Sequence, residues 1–182
     1  PGVYNYHIYY RTNNMEMPSD WRFPRAGKRV VGLAVSYHSA GAVHEDGSVS
    51  MWRPPGASIS GWTVPSRAAN PAAGQRVVRL LLSWSNFAAL HEDGSVTSWG
   101  ERLEVPAPAS VTNPPLNKRV VDMFSSDNCF AALHEDGSAS GWGTTMGGVS
   151  CTLPSAVTSP AGDSKKVVSV ASGEFALMFI HR

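Results

Sequence analysis

One short motif recurs at nearly constant spacing and restricts the possible folds more than any other feature of the sequence. His-Glu-Asp-Gly-Ser begins at His44, His91 and His134, and a Trp follows each His eight residues later. A Val-Val pair begins fourteen residues before each His, and the successive motifs are 47 and 43 residues apart. A period of this length is typical of repeat proteins such as β-propellers.

A fourth copy of the unit is divided between the two ends of the sequence. Val167-Val168 begins it, and His181 follows at the expected spacing of fourteen residues. At the other end, residues 2–6 resemble the strand after the Asp-Gly turn, and residues 17–19 resemble residues 64–66. We therefore predict a single domain of residues 1–182, with repeat units at about 29–75, 76–118, 119–165, and 166–182 together with 1–28.

Each unit predicts four short strands. The first is rich in β-branched residues, as in Val30–Val35, and the second carries small residues that allow neighbouring sheets to pack closely. Glycine after Asp permits a tight hairpin turn, and the third strand, as in Ser48–Trp52, alternates polar and apolar residues. A fourth strand is predicted near Ser66–Ala69 and Val157–Ser159.

These strands predict an all-β fold, a β-propeller with four blades of four antiparallel strands. The N- and C-terminal halves would together close the last blade, which would tie the termini together and leave no open sheet edge. The complementary halves favour this arrangement. The alternative is a fragment of a seven- or eight-bladed propeller, which lies within the known range of blade numbers.

The unit Val-Val … Ala-Ala-Leu-His-Glu-Asp-Gly-Ser-Val … Trp-Gly resembles the repeat of the regulator-of-chromosome-condensation family. The resemblance is clearest over residues 30–52, 77–100, 120–143 and 167–181, and it implies a propeller fold. Members of that family are exchange factors, ligase-associated modules and scaffolds, so the resemblance implies no single function. The family's turn glycine is present only as Gly173, and serines replace it elsewhere. The loops by which the founding member's seven-bladed ring acts on a small GTPase have no counterpart, so guanine-nucleotide exchange is not expected.

The repeated polar residues favour a structural role over a catalytic one. His44, His91, His134 and His181 share one position on a strand that is not innermost, so we expect them to lie too far apart to bind one metal ion. Their expected role is local, at the hairpin turn or against the neighbouring blade. The Glu-Asp pairs recur in every turn, where Asp bonds to nearby backbone amides. Because the sequence also lacks known nucleophile and phosphate-binding motifs, we predict no catalytic residues, no cofactor, no metal and no enzymatic activity.

Composition argues against two further classes of function. The formal net charge is +1, without a basic tail, so we expect no nucleic-acid binding. No stretch approaches the roughly 20 apolar residues that span a bilayer. The two cysteines, Cys129 and Cys151, are too few for a disulfide framework, and we interpret them as free thiols with Cys129 on a buried strand. The start at Pro1, without Met, indicates a processed form, a fragment or part of something longer.

Five aromatic residues do not follow the repeat. Tyr37 and Trp84 lie in the turn between the first and second strands, Trp62 lies in the loop after the third strand, and Tyr9 and Tyr10 lie in its N-terminal equivalent. Because strand direction alternates within a blade, both loop classes should emerge on one face of the ring. Exposed Trp and Tyr are favoured at partner interfaces. The alternative is that the loops fold back and bury these rings.

The sequence therefore predicts a non-enzymatic protein–protein interaction or scaffold module. In one version it is an accessory subunit of a larger assembly, such as an organellar membrane complex. The expected partner is another protein or protein assembly. One alternative is a carbohydrate-binding, lectin-like propeller with several weak sites for a glycan. A second alternative is a regulatory module of a guanine-nucleotide-exchange or ubiquitin-ligase-type protein.

Overall fold

The chain folds into a series of small antiparallel sheets. A computed structural model describes residues 8–10, 13–15, 18–36, 39–53, 62–101, 103, 105–145, 147–173 and 176–182. The strands are β1 (Ile8–Tyr10), β2 (Asn13–Met15), β3 (Val30–Val35), β4 (Ala40–His44), β5 (Val49–Trp52), β6 (Val77–Leu82), β7 (Asn86–His91), β8 (Val96–Gly100), β9 (Val120–Ser126), β10 (Cys129–His134), β11 (Ala139–Gly143), β12 (Val167–Ser172) and β13 (Leu177–His181). The helical turns are α1 (Ser19–Arg22), α2 (Ser66–Ala69), α3 (Ala109–Thr112), α4 (Ser155–Thr158) and a 3₁₀ turn at Asp163–Lys165.

The strands form one sheet per repeat, as the spacing predicted. Sheet 1 is β3–β4–β5, sheet 2 is β6–β7–β8, sheet 3 is β9–β10–β11 and sheet 4 is β12–β13. A separate two-stranded sheet joins β1 to β2. The strand that begins with Val-Val (β3, β6, β9 or β12) is called the inner strand of its sheet, and these inner strands contact one another in chain order. The fold is therefore all-β and propeller-like.

The His-Glu-Asp-Gly motif forms the hairpin turn and also joins one sheet to the next. In sheet 1 the Asp46 carboxylate accepts hydrogen bonds from the Ser48 amide at 3.0 Å and the Ser48 hydroxyl at 2.7 Å. Gly47 has φ +80°, and its carbonyl accepts a hydrogen bond from the Val77 amide at 2.9 Å. A side chain at Gly47 would collide with Arg76, so glycine is needed both for the turn and for the junction.

Packing between successive sheets buries the core. The fourth residue of each inner strand enters a cluster with the sheet before it: Leu80 packs with Val43, Met123 with Leu90, and Val170 with Leu133. The repeated Trp residues support this packing, because Trp99 and Trp142 are buried, with their ring centroids 5.5 and 5.4 Å from those of Phe87 and Phe130 in the same sheets.

The prediction of a fourth strand in each blade is wrong. The segments near Ser66–Ala69 and Val157–Ser159 form the helical turns α2 and α4, so sheets 1 to 3 each contain three of the described strands. Pro precedes each turn and cannot donate to a β-ladder, while its carbonyl accepts the first helical hydrogen bond, as in Ala69 N–H to Pro65 O at 2.9 Å. The third residue of each turn is buried, namely Trp21, Ala68, Val111 and Val157.

The interpretation of Cys129 and Cys151 as free thiols is also wrong, because the two residues form a disulfide with Cα atoms 5.8 Å apart. After β11 the chain reverses, and a bridge pairs Thr144 with Ser150. The Cys151 amide then donates to the Gly143 carbonyl at 3.0 Å. This reversal places Cys151 beside the start of β10, where Cys129 lies buried as predicted.

The closure of a fourth blade by the two ends stays a prediction. Sheet 4 and the β1–β2 sheet share no hydrogen-bonded strand pair. Among the described residues, β12 makes no contact with β3 comparable to those that link the other inner strands. In chain order, sheets 1 and 4 are the first and last members of the series of inner-strand contacts among the described residues. The described residues also contain no helix that is long and apolar enough to cross a membrane.

The disulfide closes a loop of 22 residues. On the chain-entropy estimate, losing such a crosslink lowers the free energy of unfolding by about 3 kcal/mol. We expect Cys151→Ser to show this loss in urea denaturation. A reductant should produce the same loss in the parent chain and no further loss in the variant. Equal stability of the variant and the oxidised parent would show that the crosslink does not stabilise the fold.

Candidate functional site

The recurring histidines bridge two parts of each sheet. The Nδ1 atoms of His44, His91 and His134 lie 2.7–2.9 Å from backbone carbonyl oxygens of Lys28, Gln75 and Lys118, and their Nε2 atoms lie 2.7–2.8 Å from hydroxyls of Ser50, Thr97 and Ser140. His181 Nδ1 makes the same contact with the Lys165 carbonyl at 2.7 Å. A carbonyl only accepts, so Nδ1 carries the proton and Nε2 accepts from the hydroxyl. The predicted local role of these histidines is confirmed.

Helical turns extend this bridge in two repeats. The Trp21 indole in α1 donates to the Ser50 hydroxyl at 2.7 Å, and Ser50 in turn donates to His44. In sheet 3 the Ser110 hydroxyl of α3 lies 3.0 Å from Ser140. Each of these hydrogen-bonding groups is used within the scaffold, which leaves no unengaged base or nucleophile at these positions.

The acidic residues of the turns are also held in structural contacts. Burial opposes ionisation of Asp46, but bonds from Lys28 and Ser48 outweigh it and lower its pKa to about 2. Burial opposes ionisation of Asp93 and Asp136 too, yet bonds from Ser95 and Ser138 lower the pKa of each carboxyl. These carboxylates are therefore charged acceptors in the turn and not proton donors for chemistry. The described part of the chain contains no group of three or more metal-ligating side chains.

The structure describes the five aromatic residues of the predicted partner interface to different degrees. Trp84 lies at the β6–β7 turn and is 39% exposed. Trp62 is half-buried, with its ring centroid 5.1 Å from that of Phe87 and the Arg53 guanidinium over its ring. Tyr9 and Tyr10 form β1, whose backbone alone is described, and Tyr37 lies outside the described residues. The structure therefore exposes Trp84 and folds Trp62 against the core.

Trp62 and Trp84 lie at the same end of sheet 2. Phe87, which contacts Trp62, pairs across the hairpin with Leu82, directly beside the turn that carries Trp84. The placement of Tyr9, Tyr10 and Tyr37 on that face remains a prediction.

A buried polar network fixes the turn that carries Trp84. The Trp84 amide donates to the Asp127 carbonyl at 3.1 Å, which ties the turn of sheet 2 to the equivalent turn of sheet 3. Below them Asn86 and Asn128 are fully buried, and Asn86 Nδ2 donates to the Asn128 carbonyl at 3.5 Å. The turns of sheets 2 and 3 are therefore directly connected by this hydrogen bond.

A second candidate surface was missed in the sequence. Exposed apolar side chains follow the inner strands, and the second valine of each Val-Val pair is more than half exposed: Val31, Val78, Val121 and Val168. Between β3 and β6 lies a groove of about 430 Å³ whose lining includes Leu33, Val35 and Leu81. The repeat register shows that these positions are equivalent to one another. It does not predict their exposure, because exposure depends on how each sheet packs against its neighbours.

The buried histidines make stability dependent on pH. Burial disfavours the imidazolium and lowers the pKa of His91 and His134 below the ordinary value, although Asp93 and Asp136 oppose the shift. An unfolded chain takes up protons below about pH 6.5, whereas the folded chain does so only at lower pH. The free energy of unfolding should therefore be highest above about pH 6.5 and fall as pH decreases to 5, by at most about 1.4 kcal/mol per pH unit for each histidine.

Urea denaturation between pH 7.5 and 5 measures this dependence. His134→Gln should be less stable at pH 7.5 and should have a shallower slope, because one titrating group is removed. An unchanged slope in the variant would contradict the assignment to His134.

Comparison with known proteins gives similarity in fold alone. No protein-family model and no curated protein matches the sequence. Human WBSCR16 is 18% identical with a TM-score of 0.57, over 86% of this chain and 46% of that one. Yeast RCC1 (Prp20) is 19% identical with a TM-score of 0.54, over 86% of this chain and 40% of that one. The WD40 ectodomain of the Arabidopsis thaliana receptor kinase ACR4 is 14% identical with a TM-score of 0.53, over 85% and 46%.

This chain spans less than half the length of each of these three proteins. One structure of Prp20 holds it bound to Kap60, and another is described together with its binding properties to Gsp1p and histones. At this level of identity the likeness concerns architecture. The chain is thus similar in fold to RCC1-like and WD40 propellers.

Proposed function

We propose that this chain is a non-enzymatic interaction module that binds another protein through the turns of sheets 2 and 3. The observation that carries the proposal is Trp84, a large aromatic side chain held exposed on a fixed turn. Aromatic residues contribute disproportionately to binding energy at protein interfaces. A rigid turn also reduces the entropy lost when a partner binds.

The surroundings of Trp84 support this role. The amide-to-carbonyl bond to Asp127 and the buried Asn86 and Asn128 keep the turn in place without help from a partner. Trp62 lies at the same end of sheet 2 and would border the contact area. Tyr37, Tyr9 and Tyr10 complete the proposed surface.

A protein partner is favoured over the other classes considered. The propeller-like neighbours include Prp20, which was solved bound to the protein Kap60. The polar groups of the repeats are engaged in the scaffold, which supports a binding role without catalysis. We accordingly propose a scaffold or accessory-subunit role. If the chain bound sugars on a glycan array and captured no protein partner, the carbohydrate-binding alternative would be favoured instead.

As for the number of blades, we favour the alternative in which these repeats are part of a larger propeller, and not a closed ring of four blades. The support is that, among the described strands, β12 and β3 lack a contact comparable to those that join the other inner strands. The repeat boundaries at about residues 76, 119 and 166 fall before the inner strands of sheets 2, 3 and 4.

The partner is best sought by crosslinking the chain in its source extract and identifying the captured protein. Binding of that purified protein is then measured by calorimetry. Trp84→Ala should weaken binding by about 2 kcal/mol or more, roughly 30-fold, because it removes an interface anchor. Leu116→Ala is the matched control, since Leu116 is an exposed apolar residue away from this turn. Equal binding by both variants would contradict the proposed face.

A further inference from the structure

The turn that carries Trp84 is held by the equivalent turn of sheet 3, which is itself tied down by the disulfide. The Trp84 amide donates to the Asp127 carbonyl at 3.1 Å, and the Asn128 carbonyl accepts a second hydrogen bond from sheet 2 at 3.5 Å. The next residue is Cys129, which is crosslinked to Cys151. The two contacts that fix the Trp84 turn therefore end on the two residues that precede a crosslinked cysteine.

The disulfide occupies a position where sheets 1 and 2 have a hydrogen bond. The last residue of the turn between the first two strands is Ser39 in sheet 1, Asn86 in sheet 2 and Cys129 in sheet 3. The Ser39 hydroxyl lies 2.7 Å from that of Ser36, and the Asn86 amide reaches the following sheet. In sheet 3 the corresponding side chain is joined to Cys151 by a covalent bond that a reductant can break.

The backbone of the sheet 3 turn needs support from its surroundings. Asp127 has φ +44°, in the left-handed region that residues with a side chain disfavour. Such a conformation persists where neighbouring contacts hold it in place. Gly143 is the strand partner of Cys129, and a side chain at Gly143 would collide with the Asn128 carbonyl oxygen. The turn is thus closely packed at the end where the disulfide holds it.

The other half of the disulfide lies in an exposed loop. Residues 147–150 are exposed and Cys151 is half-buried, whereas Cys129 is 8% exposed. A reductant therefore reaches the sulfur of Cys151 more easily than that of Cys129. The bridge between Thr144 and Ser150 folds this loop independently of the crosslink. Reduction should therefore release β10 from the loop without unfolding the loop itself.

We propose that the Cys129–Cys151 disulfide is a redox-regulated site that controls the Trp84 surface, an inference that rests on the proposed function. With the disulfide intact, the sheet 3 turn is fixed and holds the Trp84 turn in the conformation that meets a partner. When the disulfide is reduced, Asp127 and Asn128 lose the anchor beside them, and the Trp84 turn loses part of its support. Binding then has to order the turn, which lowers the affinity for the partner.

The reductant in this step is a dithiol. One of its thiolates attacks the sulfur of Cys151, the bond to Cys129 breaks, and the Cys129 thiolate that leaves takes up a proton. The second thiolate of the reductant then attacks the reductant's own sulfur in the mixed disulfide, so that Cys151 leaves and takes up a proton. Two electrons and two protons pass from the dithiol to the protein, and the dithiol becomes a disulfide. A disulfide oxidant reverses both steps.

Fluorine NMR of the chain alone, labelled with fluorotryptophan, tests whether the disulfide controls the turn. The Trp84 resonance is the one that is absent from Trp84→Phe. When dithiothreitol is added, this resonance should shift by more than its linewidth, because the turn around the side chain is released. The resonance of Trp21, which is buried beside sheet 1, should stay in place. An unmoved Trp84 resonance in a chain whose thiols are shown by alkylation to be fully reduced would overturn the proposal.

A double variant is the matched control, because the chain contains two cysteines in all. Cys129→Ser combined with Cys151→Ser should give the spectrum of the reduced chain both with and without dithiothreitol. Serine is also the residue that sheet 1 carries at the position of Cys129, namely Ser39. A response of this variant to dithiothreitol would overturn the assignment to the disulfide. If reduction collapsed the resonances of all tryptophans together, the crosslink would hold the whole fold and not this turn, which would overturn the proposal as well.

Calorimetry with the partner protein captured by crosslinking measures the effect on binding. The oxidised chain should bind that protein about tenfold more tightly than the reduced chain, and the double serine variant should bind as weakly as the reduced chain. Equal affinity of the oxidised and reduced chains would overturn the redox control and leave the Trp84 surface standing. Full affinity of Trp84→Ala would instead contradict the proposed function, while the NMR shift would still report the coupling between the disulfide and the turn.

Discussion

The apolar residue at the fourth position of each inner strand packs against the sheet of the preceding repeat, and the rest of the structure depends on this contact. Leu80, Met123 and Val170 make it at the three internal junctions. A sheet of two or three short strands cannot bury its apolar faces alone, so each repeat needs its neighbours. The stability of such an array is the sum of contributions from its repeats and from the junctions between them.

The residues that identify the repeat are the residues that build these junctions. Gly47 accepts a hydrogen bond from Val77 of the next repeat, and Val120 and Val167 donate equivalent bonds to Gly94 and Gly137. The recurring His ties the entry of the inner strand to a hydroxyl on the third strand. Because these groups are used in the scaffold, binding is better sought where the repeats differ, as at Trp84.

The repeat period and the Asp-Gly turns were enough to predict the sheets and the order of their first three strands. The helical turns were missed because Ser, Ala, Val and Thr after Pro suit a strand as well as a single turn, and tertiary packing of Trp21 and Val111 decides between them. The disulfide was missed because a separation of 22 residues says nothing about a chain reversal at Thr144–Ser150. Exposure of Leu33 and Ile180 could not be predicted either, since the equivalent residues are buried or partly buried in the other sheets.

Hydrogen–deuterium exchange tests most directly whether each sheet depends on its neighbours. Amides of β9 and β10 belong to a sheet that contacts other sheets on both sides, so they should be protected most strongly. Amides of β3 and β13, which carry the exposed Leu33 and Ile180, should exchange faster. Protection of β3 and β13 equal to that of β9 and β10 would contradict the account.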